Sequence, residues 1–308
     1  VREFRNLKRS LSMRILKTID EAQSTCRQTK SQGKRLGLVP TMGALHEGHL
    51  SLVRAARLQC DVVAVSIFVN PLQFGPREDL QRYPRDLERD CRLLETEGVS
   101  LVFAPSPEEM YPSTGSKDSQ SATLVEVTGL SERLEGKTRP GHFRGVTTVV
   151  NKLFNIMGPE AAFFGQKDAQ QVVILRRMVR DLNMPVQMVV CPILREADGL
   201  AMSSRNAYLD PPHRVAAAVL HRALVRVQDL FAQGERCAAL LADAGRRLIQ
   251  EERLARLDYF ELVDPETLDP LKAASPGALA VAAAFLGETR LIDNLAIYNT
   301  IPGSAVKL

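Results

Sequence analysis

Two apolar runs, at 36–40 and 62–69, constrain this chain more than any other feature. The second, Val62-Val63-Ala64-Val65-Ser66-Ile67-Phe68-Val69, is nearly continuous and rich in β-branched residues, as in a strand buried on both faces. Between the runs, Leu50, Val53, Ala56 and Arg57 recur at helical spacing. Strand, helix, strand at this separation is a βαβ unit, which commits the chain to a parallel sheet with helices on its faces. Ligands of such sheets sit outside the carboxyl ends of the strands. The chemistry is therefore expected near 36–49, Leu-Gly-Leu-Val-Pro-Thr-Met-Gly-Ala-Leu-His-Glu-Gly-His, where the first strand breaks at Thr41-Met42-Gly43 and the helix begins. A glycine turn running into a helix start offers backbone N–H groups to an anion.

The alternation continues. A short strand and an amphipathic helix fit 15–34, with Gly33 as stop signal, and a helix fits 84–97, with Leu87, Cys91 and Leu94 in one stripe and Gly98 as C-cap. Strands are expected at 99–103, 161–164 and 186–190, and helices at 141–157 and 169–182. The fold class is thus α/β, a Rossmann-like doubly wound parallel sheet. After Cys191 the texture changes. Two alanine- and leucine-rich helices at 213–253, parted near Gly234, precede three antiparallel strands at 259–263, 278–285 and 291–298. The expected organisation is an upstream extension at 1–12, a catalytic domain at 13–193 and a smaller α+β domain at 194–308. The extension is basic and faintly like a transit segment, although Met13 opens what reads as the first strand. A polar loop of small residues is expected at 113–121.

Several classes are disfavoured. With 40 basic and 36 acidic residues, the charge of +4 over 308 residues is too weak to imply nucleic-acid binding. No apolar run reaches the roughly 18 residues of a bilayer span. The cysteines at 26, 60, 91, 191 and 237 are scattered without a CxxC pair, which fits a reduced cytoplasmic protein better than a disulfide scaffold.

Three constellations can carry chemistry. In His46-Glu47-Gly48-His49 the histidines are three apart and can share one helix face. A zinc-protease helix needs them four apart with glutamate after the first, so that motif is not met and no metal site is expected. Capping roles for the pair remain open. Gly48, unfavourable in a first helical turn by up to ~1 kcal/mol, would let a flat ligand lie on the backbone. The second constellation is Met202-Ser203-Ser204-Arg205, after the charged, hinge-like loop 195–200; it suits closure on a triphosphate or an ordinary solvated loop. The third is Gly165-Gln166-Lys167-Asp168 at a strand end. Its lysine can neutralise phosphate, and its carboxylate can hold magnesium or a ribose hydroxyl, or simply cap the next helix.

Five blocks together resemble one family: Val-Pro-Thr-Met-Gly-Ala-Leu-His-Glu-Gly-His from 39, Phe-Val-Asn-Pro-Leu-Gln-Phe from 68, Arg-Pro-Gly-His-Phe-Arg-Gly-Val from 139, Gly-Gln-Lys-Asp-Ala-Gln-Gln from 165, and Asp-Gly-Leu-Ala-Met-Ser-Ser-Arg-Asn from 198. They look like pantothenate synthetases, members of the HIGH-motif nucleotidylyltransferase superfamily. The resemblance runs from Met13 to the C-terminus. It implies ATP-dependent ligation of pantoate and β-alanine through a pantoyl adenylate, with Mg2+, in a cytoplasmic homodimer. It assigns ATP to Met42, Gly43, Ala44, Leu45, His46, Glu47, Gly48, His49, Gly165, Gln166, Lys167, Asp168, Leu194, Met202, Ser203, Ser204 and Arg205. It assigns pantoate or β-alanine to Gln73 and Gln171, with Asn70 and Tyr83 assisting. His49, His46 and Lys167 are the expected catalytic groups, His49 as donor to a phosphate oxygen. The basic stretch at 133–144 is either a solvated face or a wall near the substrate entrance. The rival reading, a tRNA synthetase relative, lacks a basic tRNA-binding domain.

Overall fold

The computed structural model describes residues 13–76, 78–112 and 123–299; the extension 1–12 and the loop 113–121 fall outside that set. The first half runs β1 (Arg14–Leu16), α1 (Ile19–Ser31), β2 (Leu36–Thr41), α2 (Glu47–Gln59), β3 (Val62–Ile67), α3 (Leu87–Thr96), β4 (Leu101–Phe103), then two single-turn helices, α4 (Pro107–Met110) and α5 (Glu135–Thr138). It continues with α6 (His142–Met157), β5 (Ala161–Gly165), α7 (Ala169–Asp181) and β6 (Gln187–Cys191). The expected helix at 84–97 starts three residues later, because the Asp86 side chain accepts from Arg89 N at 2.9 Å and caps it.

All six strands are parallel, in the order β1-β4-β3-β2-β5-β6. β2 pairs with β3 from Leu36↔Val62 to Thr41↔Ile67 and, on its other edge, with β5. Strand order therefore reverses between β2 and β5. The carboxyl ends at Thr41 and Gly165 flank this switch point, the usual crevice of open α/β sheets. Both faces are covered. Leu36 and Leu38 pack with α1, α6 and α7, whereas Val39, Val63 and Val65 pack with α2 and α3.

The second half begins with α8 (Pro211–Ala216), α9 (Val219–Ala232) and α10 (Ala238–Glu251), followed by an antiparallel sheet β7 (Ala255–Val263), β8 (Leu279–Leu286) and β9 (Thr289–Ala296). β7 begins four residues before its expected start; a register shift between Leu257 and Tyr259 breaks the alternation that would have revealed it. The helices cover one face of this sheet, with α10 so close at Gly245 that any Cβ would overlap the Phe260 ring. On the other face Val263, Leu279 and Val281 pack against Leu134, Ala169 and Val173 of the first half. Beside that seam, Arg290 holds buried Glu135 through two bonds of 2.6 and 2.7 Å, and Tyr259 Oη donates to Glu135 at 2.8 Å.

Candidate active site

β2 delivers the chain into a turn with two left-handed residues, Gly43 (φ +79°) and Ala44 (φ +51°). A buried carboxylate holds it there. Asp90, on α3, accepts from Ala44 N and Leu45 N, one to each oxygen, both at 2.8 Å. Burial pushes the Asp90 carboxyl above its ordinary range against the pull of those two amides. Arg89 adds a bond from Nη1 to Leu45 O at 3.0 Å. The turn ends at His46, which caps α2. His46 Nδ1 accepts from Gly48 N at 3.1 Å, and His49 Nδ1 accepts from His46 N at 3.3 Å. With both Nδ1 atoms accepting, each neutral ring carries its proton on Nε2. The two rings lie 4.1 Å apart, centroid to centroid.

Burial is the main cause that lowers His46 to about 4 and His49 to about 3, with Lys167 and, for His49, the neighbouring His46 acting in the same direction. His142, lowered to about 4 mostly by burial and then by Arg139, is a third such ring. In the free protein near neutral pH the pair therefore carries no charge and offers neutral Nε2–H donors. A further consequence is measurable. Histidines of the unfolded chain titrate near 6.5, so between that value and the folded values the unfolded state binds more protons, and stability falls as pH drops through this window. The midpoint of thermal unfolding should be lower at pH 5 than at pH 7.5, and less so in His142→Gln. A midpoint that does not move over that range would contradict it.

At Gly48 a Cβ would stand 2.9 Å from His46 Cε1 and Nδ1 and 3.5 Å from Met202 Cβ, so glycine makes room for the capping ring. Glu47 points outward to Arg54.

At the end of β5 the Gly165–Asp168 turn presents Lys167, whose ammonium lies 3.6 Å from Asp168. Asp168 makes no side-chain cap on α7, which removes the capping alternative. The loop after β6 returns across the sheet end. Met202 N donates to Leu194 O at 3.0 Å, and Ser203 Oγ accepts from Arg205 N at 3.3 Å. Ser204 Oγ donates to Ala44 O at 3.1 Å, and Arg205 clasps Asp79 through bonds of 2.9 and 3.1 Å. Lys167, Asp168, Ser203 and Arg205, drawn from segments far apart in sequence, line one cavity of about 730 Å³ with Glu78, Asp79, Arg139 and the β8–β9 hairpin. His46 and His49 are not in its lining; they lie within electrostatic reach of Lys167.

The substrate candidates separate into groups. Buried Asn70 donates from Nδ2 to Gln73 Oε1 at 3.1 Å and to Gly145 O at 3.0 Å, fixing the Gln73 amide so that Nε2 faces Met42 Sδ at 2.9 Å. Gly145 permits this, since a Cβ would collide with Leu72 and Gln73 backbone. Gln171 lines a small pocket of about 50 Å³ that shares Lys167 and Asp168 with the main cavity. Tyr83 is buried, with its ring edge-on to that of Phe74. In the basic stretch, His142 Nδ1 meets Gln73 O at 2.8 Å and Arg139 binds Glu78, which overturns the solvated-face alternative for these two. Asp90, Asp79 and Asn294 are the residues the sequence reading missed. Asp90 had a local signal, an acid in the Leu87-Cys91-Leu94 stripe. Among the described residues no group of three or more His, Cys, Asp and Glu is placed to hold a metal.

Fold and site together define a class: a doubly wound α/β protein with a cavity lined by Lys167, Arg139 and Arg205 beside the switch point of its sheet. Residues 14–296 match the family model of pantoate-beta-alanine ligases. A pantothenate synthetase from Koribacter versatilis is 59% identical over 92% of this chain and 96% of its own length, and one from Thermotoga neapolitana is 55% identical over 92% and 99%. Among solved structures, the pantothenate synthetase of Thermus thermophilus superposes with a TM-score of 0.87 at 49% identity, covering 93% of this chain and all of that one. The pantoate-beta-alanine ligase of Francisella tularensis, solved with an ATP and β-alanine, gives 0.76 at 33% identity over 92% and 98%. The chain belongs to the pantoate–β-alanine ligase family.

Proposed function

We propose that this ligase joins pantoate to β-alanine in two steps at the switch point, through a pantoyl adenylate with release of pyrophosphate and then AMP. One observation carries the reading. The 165–168 turn and the 202–205 loop bring a lysine, an arginine and the Ser203 hydroxyl to one cavity, and Ser204 ties that loop to the turn before α2. The Francisella relative, solved with an ATP and β-alanine, supports ATP and β-alanine as substrates. A carboxylate nucleophile is already ionised at neutral pH, so adenylation needs alignment and charge compensation rather than a general base.

On this reading Lys167 supplies positive charge to the phosphates, while the Nε2–H groups of His46 and His49 donate to phosphate oxygens. Gln73 receives pantoate. Its N–H now faces a thioether, a weak acceptor readily exchanged for a substrate oxygen, and Gln171 approaches from the neighbouring pocket. Arg205 reaches phosphate by sharing or leaving Asp79. Residues 194–308 act as the lid. Mg2+ usually keeps several waters and takes one or two protein carboxylates with substrate phosphates, and Asp168 beside Lys167 suits that role. Bound there, it would spread phosphate charge. The five unpaired cysteines suit a reducing cytoplasm, and the family resemblance carries a homodimer with it.

ATP–pyrophosphate exchange tests the reading. Exchange should require pantoate and proceed without β-alanine. Exchange driven by an amino acid would favour the synthetase rival, and none with either acid would leave a nucleotide-binding module.

A further inference from the structure

The turn that presents Lys167, a single 3-10 turn between β5 and α7, is also held from outside. Gly165 leads into it with room for a side chain, and Asp168 supplies no side-chain cap to α7. Two of its carbonyls accept from a residue about 130 positions away in the chain. Asn294, on β9, donates from Nδ2 to Gln166 O at 3.0 Å and to Lys167 O at 2.9 Å, and its Oδ1 accepts from Gln166 Nε2 at 3.2 Å. One amide thus satisfies three partners of a four-residue turn, and it is buried.

Strand geometry fixes the direction of that amide. Asn294 is in register with Val281 of β8, and Val281 packs with Ala169 and Val173 of α7, so this face of the small sheet looks at the Lys167 turn. Asp293, one residue earlier, must point to the opposite face. There it binds Arg195 with bonds of 2.6 and 3.0 Å, and its Oδ1 also accepts from Asn294 N at 2.8 Å. Arg195 in turn donates to Gly199 O at 3.0 Å, at the base of the loop that carries Met202 to Arg205. Two adjacent residues of one strand therefore hold the backbone of both phosphate-directed segments.

We propose that Asn294 is a positioning residue for Lys167, through which docking of the small sheet sets the place of the lysine in the adenylation site. This rests on the reading that Lys167 serves adenylation. Without the amide, two carbonyls and the Gln166 side chain lose this shared partner, and the turn loses its tie to the small sheet. A displacement of about 1 Å in a reacting geometry costs on the order of a hundredfold in rate.

The test is a double-mutant cycle on pantoate-dependent ATP–pyrophosphate exchange, with Asn294→Ala, Lys167→Ala and both together. Asn294→Ala should lower the turnover of exchange by about a hundredfold, with a smaller change in KM for ATP. In the Lys167→Ala background the same change should have almost no further effect, because the group it positions is gone. Multiplicative losses in the double variant would overturn the proposal, as would a normal rate in Asn294→Ala. Asn294→Asp keeps the shape and the oxygen but removes both donated bonds. It should match the alanine variant and serves if alanine does not fold. A near-normal rate in Asn294→Asp would equally refute it. If Lys167→Ala alone retains full exchange, it is the adenylation reading that fails, not the coupling.

Discussion

Lys167→Ala is expected to slow pantoate-dependent ATP–pyrophosphate exchange by about a thousandfold, with little change in thermal stability. The size of the effect follows from the state of the histidines. His46 and His49 are both part-buried and lowered well below neutrality, so each contributes a hydrogen bond and no charge. Two anions must nevertheless meet, and of the cavity's cations Arg139, Arg205 and Arg290 are already engaged by Glu78, Asp79 and Glu135, which leaves Arg82 and Lys167. Among the described residues Lys167 has only Asp168, at 3.6 Å, with half of that carboxylate exposed. An exposed pair of this kind contributes about 0–1 kcal/mol to folding, so removing it should cost activity rather than stability. Lys167→Arg should recover little, since a planar fork replaces a compact ammonium on a different stem. His49→Ala should also lose activity, but removes only one donor. A Lys167→Ala variant with near-normal exchange would end the assignment.

The frame of this molecule was readable because it depends on local pattern. β2, α2 and β3 each carry their own periodicity, and strand–helix alternation leaves few topologies for a parallel sheet. The switch point and the turns on it followed. Partners across long sequence gaps were not readable. Nothing around Arg205 announces Asp79, and nothing in the Gly165–Asp168 turn announces Asn294. Yet in Leu291-Ile292-Asp293-Asn294-Leu295 two polar residues interrupt an apolar strand, and the pair proves to be the buried link between segments. Gly48 is a related case. A missing side chain shows that something lies close, but that the His46 ring is one such neighbour is a fact of three dimensions. The protonation of the histidines belongs to the same category, since burial and the N–H groups facing Nδ1 decide it.

Asp90→Ala is expected to damage both stability and catalysis, and Asp90→Asn to be nearly as harmful. The carboxylate accepts from two successive backbone N–H groups of a turn that contains a non-glycine left-handed residue, Ala44. Truncation leaves both groups without a partner in a buried setting, where an unmet donor costs about 1–3 kcal/mol. A loss of about 3 kcal/mol is therefore expected for alanine. Asparagine has the same shape but turns an NH2 toward one of the two N–H groups, replacing an attraction with a clash of donors. An asparagine variant as stable as the parent would show that the two bonds contribute little. The catalytic loss has a separate origin. The turn runs directly into His46, whose Nδ1 bond to Gly48 N and whose own N–H to His49 Nδ1 fix both rings. If Ala44 and Leu45 move, the Nε2–H donors move with them. Exchange should then fall by at least about a hundredfold in Asp90→Asn, measured well below its melting temperature where the variant is fully folded. Normal exchange in a folded, destabilised Asp90→Asn would confine this carboxylate to holding the fold.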